Sequence, residues 1–148
     1  MEFEQFFVKS AGQPVQHKGE SLYLYDELDV VDNHSVVLSI ESTNSKWKQG
    51  VIILFPQEIS FRIDGTNHIG EKTIFWENTA PKGVKISWSD KISFIKVYNT
   101  WEVNGQYYSL HNGSAMKKID KGDTILYRCN DGYPDEDFDD LIFSLCLF

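Results

Sequence analysis

Apolar and polar residues alternate in several short runs of the chain, and this alternation predicts β-strands with one face toward a core. In Ile59-Ser60-Phe61-Arg62-Ile63 the apolar side chains point one way, and Val84-Lys85-Ile86-Ser87-Trp88 repeats the period. The runs are rich in β-branched and aromatic residues, which suit a pleated, half-buried surface. We predict strands at residues 2–9, 21–25, 35–41, 50–55, 59–63, 72–77, 84–88, 92–102, 106–110, 115–119, 124–129 and 141–148.

The segments between these runs contain turn residues. Asn104-Gly105 predicts a tight hairpin because both residues accept a positive φ, and Asp64-Gly65 and Asn112-Gly113 are further turn candidates. No window shows sustained helical periodicity; at most, residues 25–33 form a short helical turn. The close spacing of the strands predicts an all-β fold, an antiparallel two-sheet, jelly-roll-like β-sandwich in which residues 1–148 form one domain.

Charge narrows the range of functions. The formal net charge of −8 argues against a nucleic-acid or anionic-membrane binder, because such proteins need basic faces. No run approaches the roughly 20 apolar residues that span a bilayer. Glu2 and Glu4 place negative charge where a secretory leader needs positive charge, and the apolar run Phe6-Phe7-Val8 is too short for a signal. We expect a chain that is cytoplasmic, exported by another route or cut from a larger precursor, with a protein or glycan partner.

The two cysteines are predicted to be reduced and buried. If the runs at 124–129 and 141–148 pair as a hairpin, Cys129 faces the start of the final strand. Cys146 then lies about 20 Å away along that strand. A disulfide needs Cα atoms within about 7 Å, so the two residues are too far apart to form one.

The end of the chain concentrates negative charge. Residues 131–148 contain six of the 22 acidic residues and no Lys or Arg, in a loop longer than a hairpin needs. Asp135, Asp137 and Asp139 alternate, so a slight curl would place their carboxylates around one ion, with backbone carbonyls completing the shell. The loop is not an EF-hand, because its sixth and twelfth positions, counted from Asp135, hold Asp140 and Cys146.

These features predict a Ca²⁺ site. Its ligands would be Asp131, Asp135, Asp137 and Asp139, with Asp140 or Glu136 as further ligands. Two alternatives stay open. The loop is a solvated charged segment that guards an edge strand, or it is an acidic surface that docks a basic protein, as in an inhibitor or immunity-type partner.

A resemblance supports the metal site. Asp135-Glu136-Asp137-Phe138-Asp139-Asp140-Leu141-Ile142-Phe143 resembles the D-x-D-[FY]-[ND]-D-[LV]-[VI]-F tail of calcium-binding β-sandwich domains at the C-terminus of many bacterial surface and exported proteins. The resemblance covers about 15 of the 148 residues. It implies a β-sandwich and a calcium site that uses Asp135, Asp137 and Asp139 or Asp140. We therefore expect a non-catalytic, calcium-stabilised binding or adhesion module rather than an enzyme.

Two other kinds of site are possible from the residues. Trp47, in a polar stretch, and Tyr107 and Tyr108, after the Asn104-Gly105 turn, are possible ligand-binding residues, because aromatic faces stack on sugar rings; core packing is the ordinary role of such residues. A small hydrolase would need a nucleophile such as Cys129 or Ser114 with His111. Residues 112–116 lack the second glycine of a G-x-S-x-G elbow.

Overall fold

The computed structural model describes residues 3–80, 82–110, 112–133 and 135–148, and within these ranges the chain is mostly β-strand. One short helix, α1 (Glu4–Lys9), precedes twelve strands in this described part. No helix of these ranges has the length and apolar character that crossing a bilayer requires. The strands are β1 (Val15–His17), β2 (Glu20–Leu22), β3 (Asp26–Asp29), β4 (Ser35–Thr43), β5 (Lys48–Ile63), β6 (Thr66–Trp76), β7 (Val84–Trp88), β8 (Phe94–Val103), β9 (Gln106–Tyr108), β10 (Ala115–Asp120), β11 (Ile125–Asn130) and β12 (Leu141–Leu147).

Antiparallel pairing joins ten of these strands into one sheet, so the all-β antiparallel prediction is confirmed. The order is β10-β11-β12-β4-β7-β5-β8-β3, with β6 on β5 and β9 on β8, while β1 and β2 form a separate hairpin. The hydrogen bonds run without a break from β10 to β3. The fold is therefore one curled sheet plus a small one, and the two separate sheets of a strict sandwich are not shown.

The long strand β5 passes through an irregular segment and changes partners across it. Residues 48–54 pair with β8, residues 61–63 pair with β7, and β6 runs beside both parts. The register against β6 shifts between Leu54 and Ile59, where Pro56 has no backbone N–H to donate. Sequence analysis predicted separate strands at 50–55 and 59–63; the structure joins them because β6 pairs with both.

The predicted turns are confirmed. Asn104-Gly105 joins β8 to β9 with φ of 52° and 81°, and Asp64-Gly65 joins β5 to β6 with φ of 47° and 86°. Positive φ at both central residues matches the twist of the flanking strands. Asn112-Gly113 also forms a turn, with φ of 56° at Asn112. Lys18-Gly19 makes the same kind of turn between β1 and β2, where a lysine gave no turn signal.

The strand predicted at residues 2–9 is wrong, because residues 4–9 form α1. Phe3 and Phe7, four residues apart, are buried, whereas Val8 is 74% exposed. That spacing of buried side chains fits a helix rather than a strand. The backbone N–H groups of Phe3 and Glu4 both donate to the Asn112 carbonyl at 2.9 Å, which fixes the start of the helix against a distant turn.

The helical turn suggested for residues 25–33 is also wrong, because this stretch contains β3. Burial alternates along β3, with Asp26 and Leu28 facing inward, and the strand pairs with β8. The buried Asp26 carboxylate accepts a hydrogen bond of 2.5 Å from the Tyr127 hydroxyl and pairs with Lys118 Nζ at 2.9 Å. These partners, distant in sequence, allow an acidic residue to face the core.

Strands β11 and β12 form the predicted hairpin around the acidic segment. Cys129 lies opposite Leu141, the first residue of β12, and Cys146 lies opposite Val37 of β4. Both cysteines are free, as predicted; Cys129 is buried and Cys146 partly buried. The acidic segment is thus anchored at both ends by central strands of the sheet.

Candidate functional site

The acidic loop, residues 130–140, is folded back on itself by Asn130 at the end of β11. The side-chain amide of Asn130 donates to the Asp135 carbonyl at 2.7 Å, and its Oδ1 accepts from the Phe138 N–H at 2.8 Å. Phe138 has a positive φ of 52° and is buried against Phe3. A bulky residue adopts that backbone conformation only when its surroundings hold it there, so tertiary contacts set the curvature of the loop.

This curvature brings three carboxylates together. One oxygen from each of Asp135, Asp137 and Asp140 lies within 4.8 Å of the other two. Asp140 is buried, Asp135 is half-buried and Asp137 is exposed, so the group reaches solvent through Asp137. None of the ion pairs in the described part of the chain neutralises these three groups.

Burial and crowding raise the pKa of two of these carboxyl groups. Although Asp137 is exposed as a residue, partial desolvation of its carboxyl group by the folded loop, helped by Asp139 and Asp135, raises its pKa to about 6. Burial is also the main reason that the pKa of Asp140 rises to about 7; the Asp131 N–H acts in the opposite direction, and nearby negative charges add to the rise. The cluster therefore retains protons close to neutral pH, and a divalent cation is the kind of ligand that displaces them.

Two carboxylate oxygens of the acidic loop are shielded from solvent and lack a hydrogen-bond partner. They are Asp135 Oδ1 and Asp139 Oδ1. The other oxygen of Asp139 accepts from Asn44 Nδ2 at 2.9 Å. A buried anionic oxygen without a donor carries a desolvation penalty, which a bound cation would offset. These atoms are a second feature that favours a positive ligand.

The carboxylate of Asp131 accepts hydrogen bonds from other groups of the protein. Asp131 is fully buried, and its carboxylate accepts from Ser45 Oγ at 2.6 Å, Gln49 Nε2 at 3.0 Å and the Tyr133 N–H at 2.9 Å. Both of its oxygens thus have partners. Of the five predicted metal ligands, the fold clusters three; Ser45 and Gln49 hold Asp131, and Asn44 holds Asp139.

A cavity of about 370 Å³ adjoins the carboxylates and is lined by Trp47 and Tyr133. The two ring centroids are 6.2 Å apart in an edge arrangement, and Lys46 Nζ lies 5.6 Å from the Trp47 centroid and 5.2 Å from the Tyr133 centroid. Trp47 was predicted from the sequence as a ligand-binding residue, but Tyr133 was not. The residues around Tyr133 are polar turn residues, and they give no indication of a binding site. The cavity therefore combines carboxylates with aromatic rings.

Tyr107 and Tyr108, the other possible ligand-binding residues, lie on β9 and do not line this cavity. The ring of Tyr107 packs edge-on against Trp76 with 6.1 Å between centroids, and Lys72 Nζ lies 5.7 Å from the Tyr107 ring. The Tyr108 hydroxyl donates to Gln106 Oε1 at 3.2 Å. Of these three possible ligand-binding residues, Trp47 lines the cavity and the two tyrosines do not.

Glu136, named as a further metal ligand, points toward the N-terminal hairpin. Its carboxylate lies 2.7 Å from His17 Nε2 and 3.1 Å from Lys18 Nζ. The hydrogen bond to His17, followed by that to Lys18, lowers the pKa of Glu136. This contact ties the acidic loop to the β1–β2 turn.

Cys129 and Ser114, the described residues named for a hydrolase, are both buried. Burial, with a contribution from Asp140, raises the pKa of the Cys129 thiol well above its usual value, and a thiol in that state reacts poorly. Ser114 is buried, with its Oγ 3.5 Å from Asn99 Oδ1. His111 lies outside the described residues.

A larger cavity, of about 810 Å³, lies at the far end of β5 from Trp47. Its lining includes Ser35, Ser87, Arg62 and Asn67, which occupy successive paired positions on β4, β7, β5 and β6. Sequence analysis predicted no site here, because alternating polar residues indicate only the wet face of a sheet.

Comparison of the chain with models of known protein families, with curated proteins and with solved structures finds no match. The resemblance of residues 135–143 to calcium-binding sandwich tails therefore stays a prediction.

Proposed function

We propose that this protein is a non-catalytic calcium-binding module whose acidic loop holds one cation. The observation that carries the proposal is the convergence of Asp135, Asp137 and Asp140, with oxygens within 4.8 Å of one another and no basic partner in the described residues. Ca²⁺ binds oxygens at about 2.3–2.6 Å, so two ligands of one ion lie at most about 5 Å apart. The spacing of the three carboxylates satisfies this limit.

The chemistry of the donors favours calcium over zinc. The cluster offers carboxylate oxygens and contains no His or Cys, and hard oxygen ligands suit Ca²⁺. Asp135 Oδ1 and Asp139 Oδ1 are buried acceptors without donors, which a cation would satisfy. Backbone carbonyls and water would supply the rest of a six- to eight-oxygen shell.

The bound ion would stabilise the native state. It would neutralise repulsion at the mouth of the β11–β12 hairpin, and mass action contributes about 2.7 kcal/mol at a hundredfold excess over the dissociation constant. A rigid loop of this kind suits a binding or adhesion module, because the cavity beside it would keep its shape while a partner binds.

A second candidate function is glycan binding at the same cavity. Trp47 and Tyr133 line it beside the carboxylates, and aromatic faces pack on the apolar faces of sugars. A glycan array with Trp47→Ala tests this, with Tyr107→Ala as the control because Tyr107 is an exposed aromatic residue that does not line the cavity. Glycan signals that survive Trp47→Ala but disappear with Tyr107→Ala would reject this cavity as the glycan site.

Isothermal titration calorimetry of the chelator-treated protein with CaCl₂ at constant ionic strength tests the calcium proposal. We expect one binding event that Asp137→Ala abolishes and Asp123→Ala leaves intact, since both aspartates are exposed and only the first belongs to the cluster. A thermal stabilisation that NaCl reproduces at equal ionic strength, with no calcium heat, would reject the site and favour an acidic docking surface.

A further inference from the structure

The cavity of about 810 Å³ at the end of β5, here called the β5 groove, has a positive lining in a negative protein. Arg62 and Lys85 line it, and Asp90 is the carboxylate among its described lining residues. The chain as a whole has a formal charge of −8, so this grouping of cations runs against the general surface charge. The calcium proposal makes no use of the groove.

Strand register places the polar groups of the groove on one face. Ser87 lies directly opposite Ser35 on one side and Arg62 on the other, and Asn67 lies opposite Arg62. Paired residues of neighbouring strands share a face and stand about 4.8 Å apart. Lys85 precedes Ser87 by two positions, so it shares that face and lies diagonal to Arg62 at roughly 7–8 Å between backbone positions. Two long cationic side chains so placed can reach the same ligand group.

The guanidinium of Arg62 is held in place. Arg62 Nε donates to Asn67 Oδ1 at 3.1 Å, which leaves the other guanidinium N–H groups for a ligand. Neither Arg62 nor Lys85 takes part in an ion pair of the described chain. The Lys85 backbone is also fixed, because its N–H donates to Asp64 Oδ1 at 2.9 Å and its carbonyl accepts from the Asp64 N–H at 2.9 Å.

The groove also has an apolar surface on the face that carries its polar groups. Ile69 lines the groove and is 76% exposed, and it follows Asn67 by two positions, so its side chain shares the face of Asn67 and Arg62. The ring of His68 lies on the opposite face of the sheet, where it stacks on its paired residue, the buried Phe61. The exposed Ile69 side chain can therefore pack on the ring of a ligand whose charged group lies at Arg62.

We propose that the β5 groove binds a small ring-bearing phosphate or sulfate ester. The oxyanion accepts paired hydrogen bonds from Arg62, a charged one from Lys85 and one from the Ser87 hydroxyl, and the ester's ring packs on Ile69. The volume lies within the range of ordinary small-molecule sites, about 300–1,000 Å³. The site is independent of the acidic loop and of its cation.

Two-dimensional amide NMR of the calcium-free protein tests this, with phenyl phosphate, phenyl sulfate, inorganic phosphate and phenol as probes. We expect a phenyl ester to shift the amides of Arg62, Lys85 and Ser87, inorganic phosphate to bind more weakly, and phenol to shift none of them. Arg62→Gln and Lys85→Gln should each weaken binding by about tenfold, as expected for loss of a charge-assisted hydrogen bond. Lys121→Gln, which removes an exposed charge outside the groove, should change nothing.

The same probes distinguish phosphate esters from sulfate esters, and they define the results that would overturn the proposal. Binding of one or both phenyl esters supports the proposal and identifies the preferred oxyanion. Arg62→Lys, which keeps the charge but removes the guanidinium fork, should bind with intermediate affinity. The proposal is overturned if phenol shifts the same amides, if inorganic phosphate binds as tightly as the esters, if Arg62→Gln and Lys85→Gln behave like Lys121→Gln, or if the shifted amides lie in the acidic loop.

Discussion

The backbone N–H of Asp131 donates a hydrogen bond of 3.0 Å to Asp140 Oδ2, and this bond closes the acidic loop between the end of β11 and the start of β12. The donor favours the ionised form of Asp140, whereas burial and neighbouring charges favour the protonated form. Burial and charge prevail, since the pKa of Asp140 rises to about 7. Near neutral pH a proton and a cation therefore compete for this carboxyl group.

The substitution Asp140→Asn removes the negative charge of this side chain and keeps its size and shape. The amide oxygen can still accept the Asp131 N–H, but one of the mutually repelling charges is gone. In calcium-free buffer at pH 8 we expect the variant to melt above the wild type, by about 2–4 °C for each kcal/mol gained. Millimolar calcium should then raise the melting temperature of the wild type and of Asp123→Asn but not of Asp140→Asn. Scanning calorimetry measures both effects, and an equal calcium response in all three proteins would contradict the site.

The raised pKa values also predict how the stability of the calcium-free protein depends on pH. Between the ordinary value of 3.8 and the raised values of about 6 for Asp137 and about 7 for Asp140, the folded state binds more protons than the unfolded state. The free energy of unfolding contributed by these groups therefore falls as the pH rises through that window. Urea denaturation at pH 5.5 and pH 8 should show this difference in the wild type and a smaller one in Asp140→Asn. If the free energy of unfolding changed more between pH 5.5 and pH 8 in Asp140→Asn than in the wild type, the raised pKa of Asp140 would not be the cause.

Calcium binding should release protons in a pH-dependent way. At pH 6 the cluster is partly protonated, so a cation must displace protons, whereas at pH 8 both raised pKa values have been passed. Calorimetric titrations in two buffers of different ionisation enthalpy give the number released. We expect a clear buffer dependence of the heat at pH 6 and little at pH 8. The same buffer dependence at both pH values would show that other groups supply the protons.

Asn130→Ala should loosen the acidic loop. The change removes the donor to the Asp135 carbonyl and the acceptor of the buried Phe138 N–H. Leaving such groups without partners costs about 1–3 kcal/mol each, so we expect a loss of roughly 2–4 kcal/mol by urea denaturation, with weaker calcium binding. Asn78→Ala is the matched control, because Asn78 is exposed in a turn. Equal stability of the two variants would show that Asn130 does not hold the loop.

Gly132→Ala should destabilise the protein through packing. A Cβ at this position would lie 2.6 Å from Cζ2 of Trp101, which is 2% exposed and cannot move freely. Overpacking of this kind costs about 1–3 kcal/mol. At Gly70 the nearest atoms to an added Cβ lie 3.9 and 4.0 Å away, so Gly70→Ala should be nearly neutral in the same urea experiment. A comparable loss in both variants would show that the Trp101 contact is not its cause.

Local signals succeeded where structure depends on a few adjacent residues. The Asn104-Gly105 and Asp64-Gly65 turns were predictable because φ preference is a property of the residues themselves. The first half of β6, Thr66–Trp76, was missed because it is polar, and it is a strand through its backbone bonds to β5. The N-terminal helix was missed because the short apolar run Phe6-Phe7-Val8 looks the same in either conformation.

By itself the sequence determined the β class of the protein, its tight turns, the separation of its cysteines and the position of an acidic loop between the last two long strands. Those properties follow from side-chain period, turn chemistry and charge along a short stretch of chain. Tertiary structure alone decided that Asp140 joins Asp135 and Asp137, that Tyr133 meets Trp47, and that Arg62 stands beside Ser87. Each of these contacts depends on how distant strands pair or how a buried Phe138 bends the loop, and no local pattern encodes that geometry.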